Sequence, residues 1–287
     1  MIERRVVDNA APIKDISHGV DRNTILTYIG DIADSNGRGV VGARLLSNAL
    51  ANRLGLSQTL VGHRTPVPDC DYHSELAAGA PSLTELQVAH RQLLASQKPA
   101  LVVMPRCAGA LATLPNLAET GTTIVWFDAH ADFNTPASTP TGYLGGMVLS
   151  AVVGWWDSGF GKGLLPDDIV LGGTRALDSF EELLIEDEVI RCATGASMLE
   201  DLDAYVGNNP IYFHFDCDVL EPGIVPVEFE VRDGLLLSDL NAVAQRLAQN
   251  PIVGIELAEF EAPAMEDEID GTGSGLLDAL DPLLKLI

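Results

Sequence analysis

The chain has 287 residues, with 17 Lys and Arg against 41 Asp and Glu, a formal charge of −24. A surface this acidic excludes binding to nucleic acid, which needs cations to displace phosphate counterions, and docking on anionic membranes. Disorder is excluded too, because 47% of residues are hydrophobic and only 20% charged, in a chain long enough for a large core.

The N-terminal stretch has Arg4 and Arg5 but no apolar run behind them, so it does not read as a secretory signal. Residues 1–22 read as a loose lead-in to one domain spanning 1–287. No stretch approaches the roughly 18 apolar residues of a membrane span. Cys70, Cys107, Cys192 and Cys217 form no CxxC pair, which fits free thiols in the cytoplasm.

The first apolar run, 25–29, reads as a buried strand, and 39–54 has helical spacing up to Gly55. A second helix reads as 82–97, opened by a capping box of Ser82 and Glu85 and closed before Pro99. Strand-like runs follow at 101–104, 123–127, 169–171, 211–215 and 252–257, with a helix at 238–248 before the last. Most runs are continuous rather than alternating, as strands covered on both faces are. The alternation with helices predicts a three-layer αβα fold around a central, mainly parallel sheet. The acidic run 265–270 reads as a solvated loop.

In such a sheet, functional residues gather at the carboxyl edge. After 123–127 comes Asp128-Ala129-His130-Ala131-Asp132-Phe133-Asn134, and after 211–215 comes Asp216-Cys217-Asp218. Residues two apart in extended chain share a face. Four carboxylates and an imidazole thus meet at the ends of two buried strands, which is costly without a cation. Oxygen-rich sites with an imidazole suit hard divalent ions, Mn²⁺ above all, and this many carboxylates suggest two of them. His214 shares the face of Asp216. It is a satisfied core histidine, a partner holding a carboxylate, or a replacement proton carrier. Cys217 points the other way, into core. His63, His73 and His90 lack metal-like spacing; His90 is exposed or packed mid-helix. Trp155-Trp156 fits core or interface.

The segments 128–136 (DAHADFNTP) and 216–222 (DCDVLEP) resemble the metal motifs of the arginase, or ureohydrolase, family. The match is close from 128 to 147, through the NTP and the T-G-x-L-x-G frame. Segment 254–259 (GIELAE) resembles the family's late strand, whose glutamate contacts the guanidinium. Segment 172–181 (GGTRALDSFE) resembles the loop that holds the substrate's amino-acid end. The resemblance implies two Mn²⁺ per chain, with a water activated between them that attacks a guanidino carbon. It implies that Asp128 and Asp216 bridge both ions, and that His130 and Asp218 complete the shell of one. Asp132 would bind the other and accept a hydrogen bond from the water. Glu259 would pair with the guanidinium-type group. Asn134 and Thr141 would meet the substrate's α-carboxylate, and Asp178 and Glu181 its α-amino group.

Two departures bear on the substrate. Cys107 stands where the family's GGDHS motif has a metal-binding histidine. It is either a thiolate ligand, softer and less selective for Mn²⁺, or a buried apolar thiol beside a degraded site. Leu144-Gly145-Gly146 stands where arginases carry the proton-transfer histidine of L-H-G. Losing such a shuttle costs about 10²–10⁴-fold in rate. A neutral N-hydroxyguanidine needs less proton help. Both departures resemble the branch of the family that converts Nω-hydroxy-L-arginine to L-ornithine and hydroxyurea in D-cycloserine biosynthesis. That reaction is the leading expectation. Its alternatives are an arginase- or agmatinase-type hydrolase of another guanidino compound, and a non-catalytic homologue.

Overall fold

The computed structural model describes residues 20–65, 71–263 and 273–287. The readings placed on the first 19 residues, on Cys70 and on the acidic run 265–270 lie outside the described residues. Among the described residues, eight strands form one sheet: β1 (Thr24–Tyr28), β2 (Ser57–Val61), β3 (Ala100–Val103), β4 (Thr123–Phe127), β5 (Ile169–Gly172), β6 (Arg191–Ala193), β7 (Ile211–Asp216) and β8 (Ile252–Ala258). Their order is β2-β1-β3-β8-β7-β4-β5-β6, and every neighbouring pair is parallel. The helices are α1 (Arg38–Leu54), α2 (Tyr72–Leu94), α3 (Ala110–Thr113), α4 (Val148–Val152), α5 (Ser179–Glu186), α6 (Met198–Val206), α7 (Leu237–Leu247), α8 (Ser274–Ala279) and α9 (Asp281–Leu284).

Alternate residues of each strand feed opposite layers, as the two-residue pleat requires. Ile124 and Trp126 join Leu83 and Leu86 of α2 and the small side chains of α3 and α4 on one face. Val125 and Phe127 join Leu46 of α1, Leu202 of α6 and Leu240 of α7 on the other. This is the three-layer arrangement that the continuous apolar runs predict.

Three readings of the sequence are corrected. Strands β2 and β6 were not expected; both are sheet edges, and β2 alternates in burial with polar Ser57 and Gln58 among its residues. Helix α2 starts ten residues before Ser82, and Pro81 lies inside it. Its N-cap is Asp71, which accepts from the backbone N–H of His73 (3.0 Å) and Ser74 (3.2 Å). Ser82 and Glu85 instead accept from the backbone N–H groups of His63 and Gly62, tying the helix to the end of β2.

The order places β3, β8, β7 and β4 side by side in the middle of the sheet. The segments leaving their carboxyl ends carry Cys107, Glu259, Asp216 with Asp218, and Asp128 with His130 and Asp132.

Candidate metal centre

Four strand ends deliver one cluster. The ligand atoms of Cys107, Asp128 and Asp132 lie within 4.8 Å of one another, and so do those of Asp128, His130 and Asp218. A third such group joins Cys107, Asp216 and Glu259. All six residues expected to hold metal therefore meet, with Asp128 shared between two groups. Backbone geometry fixes them. Asp128 Oδ1 accepts from the N–H of His130 (2.6 Å) and Oδ2 from Trp126 Nε1 (3.1 Å). Asp216 Oδ1 accepts from the N–H of Asp218 (2.7 Å), and Asp218 Oδ1 from that of Ala129 (3.0 Å). Asp132 and Glu259 adopt left-handed backbone, at φ 54° and 63°. Such strain in a residue other than glycine costs about 1–3 kcal/mol and gathers at functional sites.

The donor set fits divalent cations. Burial pushes the carboxyls of Asp132 and Asp216 well above the usual range, and the neighbouring Asp128 and Asp218 charges push the same way. Asp218 is raised for the same reasons. The carboxylates resist ionising together unless a cation joins them, and a bound dication inverts that preference. His130 behaves accordingly. Burial opposes its charging, but Asp128 and Asp218 against its ring push its pKa up to about 12. Its Nδ1 is 3.0 Å from Asp218 Oδ2 and 3.3 Å from Asp128 Oδ1.

Cys107 sits inside this cluster rather than in plain core. Its thiol donates to Asp216 Oδ2 at 3.0 Å and meets His214 Nε2 at 3.2 Å. His214 is fully buried, with Nδ1 2.7 Å from Glu256 Oε1. His214 is thus a buried histidine with both ring nitrogens partnered, as the core reading has it, and the group it meets at the metal centre is the Cys107 thiol rather than an aspartate. Cys217 packs in the opposite layer, as its position two-faced from Asp216 requires. His90 is also buried, between Tyr212 and Asn116.

A cavity of about 440 Å³ opens above the cluster, lined by Cys107, His130, Asp132, Asp216, Asp218 and Glu259. Asn134, Thr141, Asp178 and Glu181 line it too. Asn134 Nδ2 donates to Asp178 Oδ2 at 2.7 Å. Both oxygens of Glu181 accept backbone N–H groups, from Phe133 and from Asp178, each at 3.0 Å. Tyr143 and Phe229 also line the cavity, and sequence reasoning gave them no role.

Glu259 has company that the sequence reading missed. Its Oε1 accepts from the N–H of Cys107 (2.8 Å), and its Oε2 from Arg106 Nη1 (2.7 Å). Arg106 is buried and also contacts Asp34 (2.8 Å), Glu228 (2.7 Å) and Glu261 (2.7 Å). Burial nonetheless holds the Glu259 carboxyl up, at about 7, against the lowering influence of Arg106. The available signal was Arg106 itself, because an arginine straight after a buried strand needs buried acids.

A model of the arginase family matches residues 41–272, and the chain belongs to that family. It is 37% identical over 257 residues to the N(omega)-hydroxy-L-arginine amidinohydrolase of Streptomyces lavendulae, covering 88% of this chain and 94% of that protein. It is 30% identical over 169 residues to the arginase of Bacillus caldovelox, covering 53% and 56% of the two chains. The structure of Bacillus caldovelox arginase superposes with a TM-score of 0.76 at 24% identity, over 90% of this chain and 96% of that one. Proclavaminate amidino hydrolase of Streptomyces clavuligerus superposes with a TM-score of 0.68 at 18% identity, over 91% and 90%. The protein is thus an arginase-family hydrolase acting on C–N bonds of linear amidines, with the family's binuclear metal-binding cluster. Among the described residues, no helix is long and apolar enough to cross a membrane.

Proposed function

We propose that the chain hydrolyses Nω-hydroxy-L-arginine with one water to L-ornithine and hydroxyurea, using two Mn²⁺. Cys107, Asp132 and His130 with Asp218 would each serve one ion, and Asp128 and Asp216 both. When bound, the ions supply a water acidic enough to attack a guanidino carbon near neutral pH. The remaining chemistry belongs to side chains at the cavity. Asp132 accepts a hydrogen bond from the attacking water. Glu259 orients the hydroxyguanidino group. Asn134 and Thr141 meet the α-carboxylate, and Asp178 the α-amino group, with Glu181 fixing the backbone on which Asp178 sits.

The observation that carries this substrate is the Arg106–Glu259 pair at 2.7 Å. The carboxylate expected to read a guanidinium already holds one from the chain itself. A weakly basic N-hydroxyguanidine, bound neutral, asks less of Glu259 than a guanidinium does. Its lower basicity also suits a cavity whose one lining histidine, among the described residues, is the expected metal ligand His130. The likeness to the Streptomyces lavendulae amidinohydrolase supports the same reading. The sequence's resemblance to the D-cycloserine branch suggests a setting in antibiotic biosynthesis, and the free thiols a cytoplasmic one, for a single catalytic domain over 1–287.

The test is product analysis with the manganese-loaded chain. Hydroxyurea and ornithine should form from hydroxyarginine, with little urea from arginine. Equal kcat/KM for arginine would overturn the assignment.

A further inference from the structure

Three adjacent strands place a row of unlike side chains side by side. Trp126 of β4 pairs in register with His214 of β7, and His214 with Glu256 of β8. All three are fully buried. The indole and imidazole stack with centroids 3.4 Å apart and planes 3° from parallel. Glu256 is held as firmly. Its Oε2 accepts from Thr113 Oγ1 (2.8 Å) and Tyr212 Oη (2.9 Å), leaving Oε1 for His214 Nδ1 at 2.7 Å. A ring clamped by a stack on one side and a carboxylate at one nitrogen has one direction left for the other. His214 Nε2 points at Cys107 Sγ, 3.2 Å away.

We infer that His214, backed by Glu256, is a positioning residue that holds the Cys107 sulfur in place as a metal ligand and tunes its strength as a donor. This rests on the reading of Cys107 as a ligand. The need for such a partner is physical. The sulfur lies among the carboxylates of Asp128, Asp132 and Asp216, and a thiolate there would be repelled by each. A hydrogen bond to the sulfur fixes its direction and draws off charge, which is how outer partners tune a metal's ligands. A thiolate ligand carries no proton, so in the metal-bound state His214 Nε2 is the donor and Glu256 Oε1 faces the other ring nitrogen.

Cobalt-substituted full-length chain gives a direct readout. Co²⁺ bound through a thiolate shows a sulfur-to-metal charge-transfer band in the near ultraviolet. Cys107→Ser should abolish it; a spectrum unchanged in that variant would sink the ligand reading itself. With the ligand established, His214→Phe keeps the stack on Trp126 but removes the nitrogen. It should shift and weaken the band and lower Co²⁺ affinity at one of two positions by about 10–100-fold. His214→Gln, which keeps a polar nitrogen, should recover part of both. Glu256→Gln, which preserves shape while weakening the hold on the ring, should move the band in the same direction. It serves in place of His214→Phe if that variant does not fold. A wild-type band and wild-type Co²⁺ affinities in the folded His214→Phe chain, or in its Glu256→Gln substitute, would overturn the positioning role.

Discussion

The two halves of the metal centre share Asp128 and differ in their surroundings. The half built on His130 opens to the cavity, with that side chain 34% exposed, and it follows the arginase motif closely. The half built on Cys107 lies deeper, at the floor of the same cavity, with Cys107 2% exposed, and it is where the sequence departs from the motif. Behind His130 stand mainly the two carboxylates it pairs with. Behind Cys107 stand a buried arginine, a stacked histidine and a glutamate with three side-chain partners. The proposed thiolate ligand sits where the protein supplies the most fixed polar contacts. A ligand that binds a hard ion less selectively leans more on its surroundings for placement.

The sharpest way to break the comparison is to remove what both halves share. Asp128→Asn should lower activity on hydroxyarginine to background and bring bound manganese, by elemental analysis, below one ion per chain. Next in size comes Arg106→Met, which strikes the Cys107 half alone. It leaves Asp34, Glu259 and Glu261 without their buried cation, and urea unfolding should show a loss of about 3–5 kcal/mol. Arg38, 3.0 Å from Glu261, keeps that carboxylate partly paired.

Acid should test the far end of the same support. Tyr212, which donates to Glu256, also contacts His90 Nε2 at 3.1 Å. Burial holds the His90 pKa down to about 4, although the Glu256 charge works the other way. Folding therefore favours the neutral ring. Its contribution is complete above the unfolded value of about 6.5 and is lost as pH falls from there towards 4. The wild type should lose roughly 2–4 kcal/mol across that window that His90→Gln does not. The open half should answer first in metal binding. His130→Asn should lose one ion, seen by metal titration, and the metal-free chain should unfold more easily than the wild type, because buried Asp128 and Asp218 lose the ring they pair with.

Much of this was legible in the sequence, for reasons particular to each part. The six central strands announce themselves because burial on both faces demands continuous apolar runs. The edge strands β2 and β6 do not, since half-exposed backbone tolerates Ser57, Gln58 and Arg191. Helix α2 reads short because Ser82 and Glu85 mimic a cap while serving residues 62 and 63. The carboxylates of the centre were visible because their spacing repeats after two strands. Arg106, Glu256 and Glu261 were not, because their side-chain partners lie 42 to 225 residues away and only the strand order joins them. The sequence also hid that Glu259 arrives with an arginine attached.

That strand order has a consequence for how the chain comes to be folded. Strands β7 and β8 are the last two made, yet they lie between β3 and β4. Neighbouring strands sit about 4.8 Å apart, so β3 and β4 stand about 14 Å from each other in the finished sheet. A growing chain that ends before residue 211 already holds Cys107, Asp128, His130 and Asp132, but not the strands that space them. Such non-local pairing is slow, because the loop entropy is lost before the contacts form. The cage is complete only once β7 and β8 stand between β3 and β4. Manganese bound only by the closed cage would favour the completed fold by mass action, and its capture would mark the moment when the middle of the sheet fills in.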